Sequence, residues 1–414
     1  MISGFWVFTY SFYRTVPILL ELNESEGRGF QHSSSERQTQ PSFLLSVCLR
    51  NSRISSMQKV TEEWTEMEER RTSGTSAAGK KEQKEECETL MMELNRLVQK
   101  TVRDSSWWDR RGLDCTILAS AFISLPTAFL LLSSSHVCYF LLGLVLMGVA
   151  HAVITVKGTH LASHGALTES SAWGRFWVVF FIEVCGSFTA NVSVKSHVKM
   201  HHAHTNVIGL GDSSTWKVPF LPRSVYLFIA PLVVPIITPL VAMGQLKGQP
   251  LYTAVRTVVC VCVGVCSQYV LLRCVSGFTC SSALLVMLLS RGMFSIPYIH
   301  INIFQHIGLP MFSPNRRPKR IYQMSHGVLN LSRNRLLDWI FGHSLINCHV
   351  EHHLFPSLSD NMCLKVKPIV SQFLKSKALP YQEDGYFSRL RLFFHKYQEL
   401  MVFAPPITEL VGVQ

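Results

Sequence analysis

The sequence predicts an all-α integral membrane protein, with about four transmembrane helices and additional interfacial helices under a cytosolic helical cap. Two observations support this fold class. First, the 414 residues are 48% hydrophobic and only 16% charged, with a mean hydropathy of +0.21, whereas a soluble domain usually carries about a quarter charged residues. Second, several apolar runs have the length of a membrane span. Basic residues that flank these runs account for the net charge of +12, so we expect no nucleic-acid partner.

Residues 1–84 are predicted to form a disordered N-terminal region, and residues 85–414 a single membrane domain. Residues 1–56 lack the basic start of a secretory signal and contain Arg14, so they fit a gene-model extension upstream of a true start at Met57. The residues after Met57 are charged and contain serine and glycine, a composition typical of disordered segments.

A first helix is predicted over Glu85–Arg103, where leucines recur at helical spacing. Its apolar stripe consists of Leu90, Leu94 and Leu97. We expect such an amphipathic helix to lie on the membrane surface or against the protein itself.

Two apolar runs of spanning length, Cys115–Leu132 and Val137–Val156, are predicted to form a helical hairpin. The turn Ser133–His136 between them returns the chain to the side on which it started. An interfacial collar of aromatic and basic residues precedes the first run and consists of Trp107, Trp108, Arg110 and Arg111.

The remaining apolar segments differ in length. Phe176–Phe188 is short and contains Glu183, so it is predicted to lie in the membrane plane or to be half-inserted. Three longer segments follow, over Val225–Met243, Thr257–Leu272 and Ser281–Ile303. If all three crossed, the histidines before and after them would face opposite sides of the membrane. We therefore predict that two cross and that the first, which is rich in proline, lies in the interface. Residues 305–414 then form a mostly soluble cap.

Histidines are concentrated in three groups just outside the apolar runs. On an α-helix, residues four apart share a face, so His160 with His164, and His197 with His201, each present two imidazoles to one point. His202 lies about 100° around the helix from His201 and would serve a second point. The same spacing logic recurs in the third group, which contains His349, His352 and His353. The sequence therefore predicts a site for two adjacent metals under the cap.

Imidazole suits iron, zinc, copper or nickel, so the residue type alone does not identify the metal. A single such group also occurs as a polar helix face, but three together favour a metal site. Asn302 and His306, four apart at the end of the last apolar segment, add a fourth element. The alternative role of both residues is hydrogen bonding between helices. Neither an HExxH nor a GxSxG motif occurs in the chain.

The motifs HLASH, HVKMHH and HVEHH, which begin at His160, His197 and His349, resemble the histidine boxes of the membrane fatty acid desaturase superfamily. The likeness covers the chain from roughly residue 100 to its end. It implies that residues 85–414 form a desaturase domain whose helical cap holds two iron ions. The metal ligands implied by the resemblance are His160, His164, His197, His201, His202, His306, His349, His352 and His353, with Asn302 acting through water.

The resemblance also implies a function. The expected protein is an oxidoreductase of the endoplasmic reticulum membrane that uses O2 and two electrons to introduce a double bond into a lipid acyl chain. Its histidine groups would face the cytosol. No HPGG haem motif occurs, and the third group begins with His349 rather than glutamine, so electrons are expected from a separate cytochrome b5 and its NADH-dependent reductase. The basic run Arg316–Arg320 would suit such a donor, although the positive-inside rule explains it equally.

Three alternatives remain at this point: a lipid hydroxylase with the same di-iron site, a non-catalytic lipid-binding or regulatory homologue and, more distantly, a zinc-dependent membrane hydrolase. Three carboxylates, Asp212, Glu351 and Asp360, are candidates to orient ligand imidazoles, with helix capping or solvation as the alternative. Three aromatic residues, Trp177, Phe180 and Phe181, are candidates to line an acyl tunnel, with ordinary packing as the alternative.

Overall fold

The computed structural model describes residues 77–208, 210 and 222–397. The predictions for residues 1–76 and for Asp212 therefore lie outside the described residues. The described chain divides into two compact units, of which residues 77–90 belong to one and residues 91–397 to the other. The first helix, α1 (Ala77–Asp104), begins within the region predicted to be disordered.

The apolar stripe of α1 differs in one position from the predicted one. Leu94 and Val98 are fully buried, whereas Leu97 is 37% exposed. Leu94 and Val98 are four residues apart and therefore share one face of the helix. Leu97 directly precedes Val98, so its side chain points away from that buried face. The predicted amphipathic helix is confirmed, but Leu97 was wrongly assigned to its buried face.

The predicted hairpin is confirmed. It consists of α2 (Leu113–Leu132) and α3 (Val137–Ala152), and the approach of the two helices is close enough that a Cβ atom on Gly143 would lie 2.8 Å from the backbone nitrogen of Leu132. A π-helical turn, Val153–Gly158, continues α3 into the short helix α4 (Thr159–Ser163). Trp107 and Trp108 are more than half exposed ahead of α2, as an interfacial anchor requires.

The short apolar segment after the hairpin is the first limb of a sharply bent pair of helices. The first limb is α5 (Ser171–Val179) with the π-helical turn Phe180–Cys185, and the second is α6 (Ala190–Val194) with the π-helical turn Lys195–His201. The two limbs are bent by 110°. This geometry is that of a broken span or a re-entrant loop, so the segment does not cross as one straight helix.

A fully buried carboxylate holds the bend of this pair against the next span. Glu183 accepts hydrogen bonds from Nη2 of Arg256 at 2.7 Å and from Nε at 3.1 Å, and a third from Oγ1 of Thr257 at 3.0 Å. The backbone N–H of Ala190, at the start of the second limb, also donates to Glu183 at 3.2 Å. Because its charge is paired and its oxygens are satisfied, the carboxylate can be accommodated inside an apolar layer.

Three further apolar segments follow. They are Val225–Gly244, whose last part is α7 (Val234–Gly244), then α8 (Leu251–Cys274), and then α9 (Cys280–Gly292) with α10 (Ser295–Phe304). By length and composition, five described segments are candidate membrane spans, or six if the bent pair counts as one. The five include the proline-rich segment, which has 20 residues and a mean hydropathy of 2.3. Its prolines break it into π-helical, 3-10 and α-helical pieces.

The cap consists of short helices and one minimal sheet. Its helices are α11 (Arg320–Gly327), α12 (Arg335–Phe341), α13 (His349–Leu354), α14 (Asp360–Ser376) and α15 (Tyr386–His395). Two parallel two-residue strands, β1 (Asn330–Leu331) and β2 (Glu383–Asp384), are the only named strands in the described part of the chain. The all-α prediction is therefore confirmed.

One hydrophobic core joins the spans to the cap. It contains Val153 and Leu161 from the second span, Phe304 from α10, and Phe341 and Leu345 from the cap. Burial of these side chains fixes the cap over the ends of the spans. The site described next lies at this junction.

Candidate metal centre

Nine histidine side chains converge at the junction of spans and cap, in two adjacent groups. The first group is His160, His164, His197, His202 and His352, and the second is His201, His306, His349 and His353. Within each group the candidate ligand atoms all lie within 4.8 Å of one another, and every residue is buried except His164, which is half-buried. The groups adjoin, because the ring centroids of His202 and His353 are 4.3 Å apart. The structure thus brings together the nine histidines predicted as ligands, in two adjacent groups that could each hold a metal ion.

The first pair of ligand candidates has the predicted spacing. His160 lies in α4, at the end of the second span, and His164 follows directly. Their ring centroids are 4.9 Å apart. Residues four apart share a helix face, so both imidazoles reach the first group.

The histidines of the second sequence motif, His197, His201 and His202, depart from the prediction because their helix is a π-helix rather than an α-helix. The backbone N–H of His202 donates to the carbonyl of His197 at 3.1 Å, and their Nε2 atoms lie 3.3 Å apart in the first group. His201 instead joins the second group. The predicted pairing of His197 with His201 was therefore wrong, because a π-turn places residues five apart on the same face.

The cap helix α13 supplies both groups at once. His349 and His353, four apart, belong to the second group, while His352 turns to the first. The Nε2 atom of His352 lies 3.0 Å from that of His160 and 3.1 Å from that of His202. This one helix therefore bridges the two groups, as the doublet in its sequence predicted.

The donor chemistry of the two groups fits bound metal ions. The Nε2 atoms of His306 and His349 are 2.9 Å apart, and those of His349 and His353 are 3.1 Å apart. Lone pairs of neutral imidazoles repel at such distances unless a proton or a cation lies between them. Burial lowers the pKa of His352 and of His353 well below 6.5, which favours the neutral ring, the form that binds metals.

Hydrogen bonds on the far side of the rings select the ligand atom in the second group. Nδ1 of His349 donates to the carbonyl of Ser344 at 2.9 Å, and Nδ1 of His306 donates to the carbonyl of Gly327 at 3.2 Å. A carbonyl can only accept, so the proton is on Nδ1 and the Nε2 lone pair faces the group. In the first group, Nδ1 of His197 and Nε2 of His164 are buried without a hydrogen-bond partner among the described residues.

A buried cluster of charged side chains is linked by hydrogen bonds to Nδ1 of His160. Nζ of Lys157 lies 3.0 Å from Asp114 and 2.6 Å from Asp360, and all three side chains are at most 3% exposed. The Ser344 hydroxyl donates to Asp360 and lies 3.2 Å from Nδ1 of His160, from which it accepts. Asp360, a predicted orienting carboxylate, therefore acts on a candidate ligand imidazole through Ser344. Neither Lys157 nor Ser344 was predicted from the sequence. A lysine at the end of an apolar run normally reaches the interface, and no local motif marks the serine.

Glu351 has a different role from the predicted one. Its carboxylate accepts from the amide of Asn330 at 3.1 Å and from the hydroxyl of Tyr381 at 2.6 Å, and burial raises its pKa to about 7. Asn330 also accepts from the backbone N–H of Val350 at 2.8 Å. The side chain thus fixes α13 to the minimal sheet, and among the described residues its hydrogen-bond partners include no imidazole.

Asn302 lies in α10, and its hydrogen-bond partners among the described residues include no histidine. Its amide donates to the carbonyl of Tyr298 within α10 at 2.6 Å, so its role as a water-mediated ligand stays a prediction. His300 and His343, which match no ligand position, bond instead to Tyr386 and Asn347.

A cavity of about 10 Å³ borders the first group and is lined by His160, His197, Val156 and Tyr298 among others. The three aromatic residues proposed to line a tunnel do not border it. Trp177, Phe180 and Phe181 pack on one another with ring centroids 5.2 to 5.8 Å apart. Their role is therefore ordinary packing, the alternative to tunnel lining.

Comparison with known proteins gives a consistent result. Residues 134–385 match the family described as Fatty acid desaturase, and all nine histidines lie in this range. The chain is 59% identical over 339 residues to Fatty acid desaturase 6 of Bos taurus, which covers 82% of this chain and 99% of the relative. It is 58% identical over 327 residues to Fatty acid desaturase 6 of Homo sapiens, with 79% and 92% covered. A distant relative, Delta(5) fatty acid desaturase fat-4 of Caenorhabditis elegans, is 26% identical over 115 residues, which cover 27% of this chain and 25% of the relative.

Proposed function

The chain belongs to the fatty acid desaturase family, and from this premise we propose that it is a membrane-bound acyl desaturase. In the proposed reaction a –CH2–CH2– unit of a lipid acyl chain, O2, two electrons and two protons give –CH=CH– and two molecules of water. The observation that carries the proposal is the convergence of nine imidazoles in two adjacent groups.

The residues present fit a pair of iron ions. Five imidazoles would hold one ion and four the other, with Asn302 reaching the second set through water. Bound iron would supply the oxidising power needed to remove hydrogen from an unactivated alkyl chain. Imidazole suits iron, and a neutral donor set avoids the cost of many carboxylates beside a bilayer.

The protein's own contribution is placement and exclusion of water. Tyr298 and Val156 line the small cavity beside His160 and His197, so an alkyl chain entering there would lie against the first group. Eight of the nine histidines are buried, which keeps bulk water from the reacting carbon. Hydrogen bonds at Nδ1 hold the rings of His160 and His349 in position.

The proposed electron donor is a separate cytochrome b5 with its NADH-dependent reductase, and the proposed location is the endoplasmic reticulum with the histidines facing the cytosol. Two contacts support docking of an acidic donor near the site. Exposed Arg317 donates to the carbonyl of Ala203 at 2.9 Å, next to His202, and Arg320 donates to the carbonyl of His353. The basic surface is therefore attached to segments that carry ligand candidates.

The test compares lipids from cells that express the wild-type protein or the His201→Ala variant. We expect one series of unsaturated acyl chains to be present with the wild type and absent with the variant, because the second group loses one of four imidazoles. Exposed His395 lies outside both groups, so His395→Ala is the matched control and should keep the product.

Identical lipid profiles for wild type and His201→Ala would contradict the proposal. A hydroxylated product that depends on His201 would identify a hydroxylase instead. Bound iron without any product that depends on oxygen would identify a non-catalytic homologue.

A further inference from the structure

One ligand candidate of the second group, His306, lies in a turn rather than in a helix. It follows Phe304, the last residue of α10, by two positions. Within a helix, each turn of backbone hydrogen bonds holds the next, but the last four carbonyls of a helix have no donor inside it. The position of His306 therefore depends on groups that bind this end of α10 from outside.

A single side chain binds the backbone on both sides of His306. Nε of Arg389 donates to the carbonyl of Phe304 at 3.0 Å, and Nη2 of Arg389 donates to the carbonyl of Ile307. Positive charge at the C-terminal end of a helix also interacts favourably with the helix dipole. Arg389 is only 6% exposed, so water cannot easily take its place. The guanidinium therefore holds the turn that carries His306.

The shape of the guanidinium suits this position. Its N–H groups point in fixed directions from one rigid plane, so one arginine can donate to two carbonyls at a set spacing. A lysine keeps the charge but has one nitrogen at the end of a flexible chain. The structure therefore favours arginine here for its geometry as well as for its charge.

Arg389 lies on α15, which begins directly after the range that matches the family, residues 134–385. Another arginine attaches the opposite end of this helix, where the carbonyl of Phe394 accepts from Nη1 of Arg223 at 3.1 Å. That contact does not involve the turn at His306. Of these two attachments of α15, the one through Arg389 therefore bears on the second group, and the one through Arg223 offers a comparison.

We propose that Arg389 is a positioning residue for the second metal ion, and that α15 is thereby part of the metal centre. The carbonyl of Gly327 orients the ring of His306 by accepting from its Nδ1 at 3.2 Å, and Arg389 fixes the backbone from which the ring projects. Together they place Nε2 of His306 at 2.9 Å from Nε2 of His349. The inference rests on the metal pair of the proposed function and assigns to that pair a helix outside the family range.

The test measures metal binding, not turnover, on the purified full-length protein in lipid nanodiscs loaded with iron. Chelator titration reports the affinity of each ion, and Mössbauer spectra report the environment of each. We expect Arg389→Lys to weaken binding of one ion about tenfold, the lower end of the effect of losing an outer partner, because lysine keeps part of the contact. The Mössbauer signal of that ion alone should change. Arg389→Met, which removes the donor altogether, should weaken the same ion at least as much.

A double-mutant cycle shows whether the effect passes through His306. With His306→Ala already in place, adding Arg389→Lys should weaken neither ion further, because no ring remains to be positioned. The matched control is Arg223→Gln, which removes the contact at the other end of α15 but leaves the turn intact. It should retain both ions with wild-type affinity and wild-type spectra.

Wild-type affinity for both ions in Arg389→Lys would overturn the inference, as would equal weakening of both ions or a further loss in the His306→Ala background. The measurement needs neither a lipid substrate nor O2, so its outcome is separate from that of the proposed reaction. A protein whose second ion depends on Arg389 but which forms no alkene would contradict only the desaturase proposal. A protein that forms alkene while Arg389→Lys holds both ions as the wild type does would contradict only the role of Arg389.

Discussion

Among single residues, Ser344 has the most connected position in the candidate metal centre. Its hydroxyl accepts from Nδ1 of His160, and its carbonyl accepts from Nδ1 of His349 at 2.9 Å. One residue thus positions a ring in each group. Asp360 holds it in place by accepting from its backbone N–H at 3.1 Å, and a Cβ atom at Gly342 would collide with that carboxylate. Gly342 also has φ of 105°, a conformation that glycine adopts readily.

We predict that Ser344→Ala weakens metal binding in the first group selectively. The substitution removes the acceptor for His160 but keeps the backbone carbonyl that serves His349. Loss of such an outer partner typically lowers metal affinity by about 10- to 100-fold. Chelator titration of the iron-loaded protein should therefore release one ion early and the other at the wild-type concentration.

The conservative variant Ser344→Thr keeps the hydroxyl and should restore the first ion. Ser376→Ala removes a remote hydroxyl that bonds only within its helix and serves as the control. Simultaneous release of both ions at the wild-type concentration in Ser344→Ala would contradict this role.

The sequence predicted the ligand candidates and Asp360 but neither Lys157 nor Ser344, and the reason is physical. Imidazoles that act together from one helix must recur at helical spacing, so His160 and His164 could be identified from the chain alone. Lys157, Asp360 and Ser344 meet only through tertiary packing, with Lys157 and Asp360 separated by 203 positions. No local spacing encodes such a contact.

Among the secondary-structure elements, π-helical turns set the geometry of the site. Lys195–His201 sends His197 and His202 to one group and His201 to the other. An α-helical interpretation could not predict this, because the sequence has histidines at both the fourth and the fifth position after His197. A second π-turn, Phe180–Cys185, carries the backbone against which α8 packs.

We predict that Gly264→Ala destabilises the protein by about 1–3 kcal/mol through this helix contact. A Cβ atom at Gly264 would overlap the backbone carbonyl of Val184, and the backbone of a π-turn cannot move aside as a side chain can. The measurement is thermal unfolding in detergent. Gly174→Ala is the matched control in α5, where an added Cβ atom meets only ordinary contact at 3.9 Å, and alanine there should be neutral or stabilising. Equal unfolding midpoints for the two variants would contradict the tight packing.

For the whole molecule, the convergence of the histidines constrains the path of the chain through the membrane. His202 and His306 meet at one site, so the segments between them must cross an even number of times. Three candidate spans lie there, Val225–Gly244, Leu251–Cys274 and Cys280–Phe304, and one of them cannot cross fully. Parity therefore agrees with the prediction that two of the three cross, and the assignment of the proline-rich segment to the interface stays a prediction.

We predict that the hairpin turn and the metal centre lie on opposite sides of the membrane. A loop that carries an N-glycosylation sequon is inserted between Ser134 and Ser135. If it is long enough to reach the oligosaccharyltransferase, it should be glycosylated in cells. The same loop inserted after exposed Arg333 in the cap should not be, and neither should exposed Asn191, a natural sequon at the start of α6. Glycan on the cap insertion or on Asn191 would contradict a cytosolic site. The sequon within the cap, at Asn330, is uninformative because its side chain is fully buried.

The wide spacing of the histidines along the chain also determines when their site can form during synthesis. His160 and His352, whose Nε2 atoms lie 3.0 Å apart, are separated by 192 positions in sequence. A ribosome that has released all the candidate spans has not yet made His349, His352 or His353. Both groups therefore stay incomplete until synthesis has passed every candidate span and reached the cap, and a chain cut short ahead of His349 lacks ligand candidates in each group.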